Sequence, residues 1–123
     1  MRIAILVLDG AFDTGLAAVM DAFATANELA QLQGVTSLRF DVNLVGVRRR
    51  VRTAQGMQVP VAPVEDCAAP DCIVVPAIGA KMPGPLAQAL ERRDVREAGA
   101  ALQAWHGGGA RVAAACIGTF VLA

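Results

Sequence analysis

The sequence has no tyrosine, one tryptophan and four phenylalanines, so aromatic residues make up only 4% of it. Without interleaved rings it lacks the stacking platforms on which single-stranded nucleic acid is held. Neither sign of charge prevails, because eleven Lys and Arg residues balance eleven Asp and Glu. No global field therefore draws the chain to nucleic acid or to anionic lipid. The three cysteines, Cys67, Cys72 and Cys116, are too few and too unevenly placed for a disulfide scaffold. A single histidine and the absence of a CxxC pair leave no metal site to complete, and nothing in the sequence demands a cofactor. Long apolar runs are missing too. The first one, Ile3–Leu8, stops at Asp9-Gly10 rather than at a cleavage site of small residues. No stretch approaches the ~20 apolar residues of a membrane span, so no membrane contact and a reducing cytoplasm are expected.

What remains is rich in Ala, Val, Leu and Gly. Hydrophobic residues reach 55% against 18% charged, with a mean hydropathy of +0.49, which excludes a disordered chain. At 123 residues there is room for one domain, and a chain of this size buries roughly two-thirds of its unfolded surface without staples.

Strand and helix patterns alternate. Ile3–Leu8 is apolar throughout, as in a central strand covered on both faces. A helix is predicted over 14–32, with Leu16, Met20, Phe23 and Asn27 at helical spacing and Asp13 or Thr14 as its cap. Leu38, Phe40, Val42 and Leu44 alternate with Arg39, Asp41 and Asn43, which predicts a half-buried strand near a sheet edge. Arg48-Arg49-Arg50 leads into a hairpin of Val51 and Val59 punctuated by Gly56. Cys72–Val75 is a second fully apolar strand, cut by Pro76. Pro83-Gly84-Pro85 opens a short helix, and Asp94 with Glu97 forms a capping box for another that ends at Gly107-Gly108-Gly109. Arg111–Ala115 reads as a third buried strand. Strands separated by helices define a parallel sheet with helices on both faces.

Chemistry concentrates at the end of that last strand. Ala114-Ala115-Cys116-Ile117-Gly118 is a strand-to-helix turn with small residues two positions either side of the cysteine. This is the pattern of a nucleophile elbow with cysteine in the serine position, where backbone amides favour thiolate. A small buried cysteine after a strand is the plainer alternative. Gly79, after Val74-Val75-Pro76, is placed either to offer its amide to an anion or carbonyl or simply to make a turn. Arg48, Arg49, Arg50 and Arg52 form the main basic cluster, read as a solvated or dimer-rim feature ahead of a phosphate site. His106, at a helix end, reads as a cap.

Four segments together resemble the PfpI/ThiJ superfamily of class I glutamine amidotransferase-like domains, nearest the N-terminal domain of AraC-type transcriptional regulators. They are Ile3–Gly10, Ala22–Asn27, Val74–Gly79 and Ala114–Thr119, and they span nearly the whole chain in the family's order. The resemblance implies a flavodoxin-like three-layer α/β sandwich with a mainly parallel sheet. It implies that 1–123 is one such domain, cut short just after the elbow. The ligand-binding site it implies comprises Asp13, Ile78, Gly79, Cys116 and Ile117. Two departures count against catalysis. Catalytic relatives place a His directly after the elbow cysteine, where Ile117 stands here, and an acid at the position of Gly15. The expected function is thus a non-catalytic ligand-sensing and dimerisation domain for an unidentified small molecule. It would act as a homodimer and reach DNA only through a downstream helix-turn-helix module outside these residues. The alternative is a cysteine-dependent enzyme of the same superfamily, a hydrolase, amidase or glyoxalase-like protein built on Cys116.

Overall fold

The computed structural model describes residues 1–123. Strand β1 (Arg2–Leu6) lies at the heart of the molecule, and residues 3–8 are all at most 3% exposed. Ile and Val branched at Cβ suit a pleated surface packed on both sides, as the unbroken apolar run requires. Helix α1 (Asp13–Leu32) follows, then β2 (Asp41–Gly46), the two-residue strands β3 (Val51–Arg52), β4 (Gln58–Val59) and β5 (Ala62–Pro63), and β6 (Cys72–Val75). Helices α2 (Pro83–Leu90) and α3 (Arg93–Gly107), strand β7 (Arg111–Ala114) and the single turn α4 (Thr119–Leu122) complete the chain.

Five strands form one parallel sheet in the order β5-β2-β1-β6-β7, while β3 and β4 pair antiparallel as the predicted hairpin. Two apolar layers sandwich the sheet. On one face Ile3, Ile5, Val7 and Val74 pack against Leu16 with Val19 and Phe23 of α1. On the other, Ala4, Leu6, Ile73 and Val75 meet Ala89 of α2 and Val95, Ala98 and Leu102 of α3. This is the three-layer α/β sandwich expected. No helix is long and apolar enough to cross a membrane.

Several local expectations need correction. Neither Asp13 nor Thr14 caps α1: Phe12, whose ring has no acceptor oxygen, is its N-cap, and the Asp13 carboxylate accepts the Gln55 amide at 3.1 Å. The Asp94/Glu97 capping box does not form. Asp94 is bound by Arg92, and Glu97 pairs with Arg48 and Arg93. Strand β2 is half-buried and stands next to the edge strand as expected, since β5 covers only Val45 and Gly46, but it begins at Asp41 and not at Leu38. Strand β7 is an edge strand with alternate residues exposed and is not buried on both faces. Asn27 acts as a surrogate strand. Its Nδ2 donates to Phe40 O and its Oδ1 accepts the Phe40 amide, both at 2.8 Å, which fastens α1 to the approach of β2.

Candidate functional site

In an open parallel sheet the crevice outside the carboxyl ends of the strands, where the strand order reverses, is the usual ligand position. Here the reversal falls between β1 and β6. The loop after β1 is clamped there from both sides. Gly10 N donates to Arg52 O (2.7 Å) and Ala54 N to Ala11 O (2.8 Å) on one flank. Phe12 N donates to Ala77 O (2.8 Å) and Gly79 N to Gly10 O (2.7 Å) on the other. Gly79 is needed for this approach, since a Cβ there would lie 2.6 Å from that of Ala54. Lys81 Nζ closes the outer side, 4.0 Å from the centre of the Phe12 ring.

Cys116 stands at the end of β7 in a tight turn over Cys116–Gly118. Its φ of 53° makes it the only non-glycine residue with left-handed backbone, a conformation costing about 1–3 kcal/mol that the surroundings must enforce. They do so at three points. Ala115 N donates to Val75 O (3.0 Å), Gly118 N to Ala115 O (2.9 Å), and Thr119 Oγ1 to Cys116 O (2.7 Å). The Cys116 side chain is left exposed, and no hydrogen bond reaches its Sγ.

The five predicted ligand-binding residues therefore divide. Asp13 and Cys116 follow β1 and β7, the strands on either side of β6, with no hydrogen bond or ion pair between them. Asp13 Oδ2 is the one side-chain oxygen or nitrogen that is buried without a partner. Such a group is a standing request for a donor. Ile117 is half-buried and packs on the α2/α3 layer, while Ile78 is 2% exposed and belongs to that core. The Gly79 amide is spent on Gly10 O and is not free to hold an anion. His106 bonds Ala110 O through Nδ1 at 3.2 Å, just before β7 and so at the opposite end of that strand from Cys116.

A group of residues that the sequence pattern did not join sits at the same carboxyl end of the sheet. Arg92 donates through Nε and Nη2 to the two Asp94 oxygens (2.9 and 2.6 Å) and through Nη2 to Asp9 O (2.8 Å). Burial acts to raise the Asp94 pKa, but the bonds and charge of Arg92, the Val95 amide and Arg48 outweigh it and hold the carboxyl below its usual value. The clue in the sequence was the Arg-Arg-Asp run at 92–94, whose i, i+2 Arg/Asp spacing permits this two-pronged pair.

Exposure separates the three thiols. Cys67 and Cys72 are partly covered, and burial pushes both pKa values up against the smaller opposing pull of Arg2 and Arg111 respectively. Timed alkylation of the folded protein at neutral pH, read by peptide mass, is expected to label Cys116 about tenfold faster than either. Earlier labelling of Cys67 or Cys72 would show that the turn does not present its side chain.

The five-stranded parallel sheet between two helical layers is a flavodoxin-like α/β sandwich. No protein-family model matches the chain, and no curated protein does. Among solved structures, it superposes on a protein described as a transcriptional regulator from Vibrio parahaemolyticus with a TM-score of 0.72 at 20% identity, over 99% of this chain and 59% of that one. An AraC family transcriptional regulator from Pseudomonas putida gives 0.71 at 18% identity, over 98% and 58%. Drosophila melanogaster DJ-1beta gives 0.61 at 19%, over 98% and 57%. The chain thus spans under two-thirds of each, and what they share with it is the fold.

Proposed function

We propose that this chain is the ligand-sensing domain of an AraC-type transcriptional regulator of the PfpI/ThiJ superfamily, working without catalysis in the cytoplasm. The observation that supports it most is the likeness to the two regulator structures, at TM-scores of 0.72 and 0.71 across essentially all of these residues. The sequence departures agree with it. Ile117 follows Cys116 and Gly15 occupies the acid position, so a cysteine elbow is kept without the relay that would activate it for acyl transfer. A small ligand would be held by the loops that carry Asp13 and Cys116, the positions the resemblance implies. Homodimerisation and a helix-turn-helix module outside these residues would carry the signal to DNA.

The second reading, a Cys116-dependent hydrolase, amidase or glyoxalase-like enzyme, is favoured by the exposed cysteine on left-handed backbone. The two part company in one assay. Peptidase, amidase and methylglyoxal turnover of the chain is expected to equal that of Cys116→Ala. Turnover that disappears in the variant establishes the enzyme instead.

A further inference from the structure

We infer that the arginine cluster at the start of α3 is a binding site for a small phosphate-bearing ligand, separate from the Cys116 turn. A pocket of about 420 Å³ opens there and is lined by six residues, all charged: Asp9, Arg48, Arg50, Arg92, Arg93 and Asp94. Three parts of the fold build it. Asp9 comes from the loop after β1, Arg48 and Arg50 from the loop after β2, and the others from the first turn of α3. The fifteen-residue α3 directs the positive end of its dipole to the same place.

Two of the guanidinium groups are held ready. Arg92 is fixed by Asp94 and Asp9 O through Nε and Nη2, which leaves both Nη1 hydrogens unspent. Arg48 is fixed through Nη1 alone, to Val47 O and Glu97, which leaves its Nη2 unspent. Arg50 has no hydrogen bond or ion pair, and Arg93, 89% exposed, has only Glu97 at 3.2 Å. Four guanidinium groups thus face three carboxylates, Asp9, Asp94 and Glu97, and the carboxylates are largely committed. Asp94 is closed by Arg92, Glu97 by Arg48 and Arg93, and Asp9 Oδ1 by the Arg52 amide. What still faces the pocket is the unspent N–H donors of the anchored Arg92 and Arg48, the unanchored guanidinium groups of Arg50 and Arg93, and a single uncommitted carboxylate oxygen, Asp9 Oδ2; donors outnumber acceptors, which suits a phosphoryl group.

Titration of the whole chain with inorganic phosphate at low ionic strength, followed by calorimetry, tests this. Saturable one-to-one binding is expected. It should weaken about fivefold to tenfold in Arg50→Ala and in Arg93→Ala, and hold its strength in Arg49→Ala, whose arginine lies outside the pocket. Both informative residues are exposed, so the variants keep the fold; matching thermal unfolding curves check that. Succinate in a parallel arm is expected to bind more weakly. No saturable phosphate binding, equal weakening by Arg49→Ala, or tighter binding of succinate would overturn the inference. So would tighter capture of a short DNA duplex lost in the same variants, which would make this a nucleic-acid surface. Because Cys116 takes no part, failure here leaves the sensor reading standing.

Discussion

Replacing Gly118 by alanine is expected to cost about 3 kcal/mol or more and to leave much of the protein unfolded in mild denaturant. The backbone is not the obstacle, since φ at Gly118 is −54° and any residue adopts it. Space is. A Cβ there would collide with the carbonyl oxygen of Val75 and come within 2.9 Å of Pro76 O and 3.0 Å of Pro76 C. All three are backbone atoms at the end of a central strand, so no side chain can swing aside. Gly99 supplies the contrast: it lies inside α3 with nothing within 4 Å of a Cβ, so alanine there should raise stability by about 0.5–1 kcal/mol. Urea denaturation midpoints measure both. An unchanged midpoint for Gly118→Ala would mean that the Cys116 turn does not rest on the end of β6.

The second large effect is in the core. Ile73→Ala is expected to destabilise by about 2–5 kcal/mol, because Ile73 is 0% exposed and its strand is hydrogen-bonded on both sides, to β1 and β7. Val112→Ala, its register partner on the half-exposed β7, should cost only about 1 kcal/mol. The pair of denaturation curves checks whether β7 is an edge strand. Equal losses would place Val112 as deep as Ile73.

Much of this architecture was legible in residue order because the signals were local. Ile3–Leu8 and Cys72–Val75 read correctly as central strands, since continuous branched apolar residues have few other uses. Gly56 marked the β3/β4 hairpin for a similar reason: its φ of 89° needs glycine. The misreadings came where a side-chain partner intervened that the local pattern does not show, near in sequence for Asp94 and distant for Glu97. Asp94 and Glu97 have capping-box spacing, but Arg92 and Arg48 offer charged bonds that a backbone amide does not match. Arg111–Ala115 is as apolar as a buried strand, yet nothing in its own residues shows that no further strand lies beside it. At the site, the small residues around Cys116 exposed the turn, and the structure adds the left-handed φ. Ile78 and Gly79 were harder, because whether a loop side chain faces outward or into the core depends on the loops across from it. The arginine pocket was not legible for the same reason: Arg48 and Arg50 were grouped only with Arg49 and Arg52, and only the topology joins them to Arg92 and Arg93.

The central position of β1 sets the order in which the molecule can assemble. Its partner β2 arrives after one helix, but its other flank waits for β6, as the Arg2 amide bonded to Asp71 across 69 residues shows. Until that loop closes, the most apolar strand of the chain has an open hydrogen-bonding edge. Closing so long a loop before any packing rewards it is a slow step, and parallel pairing gives no tight hairpin to shorten the search. On the ribosome, where residues emerge at about 5–20 per second, β1 spends several seconds exposed before Cys72 is even synthesised. The hazard for this fold thus lies in its birth: a chaperone that shields Ile3–Leu8 during that interval acts on the segment that the finished protein hides best.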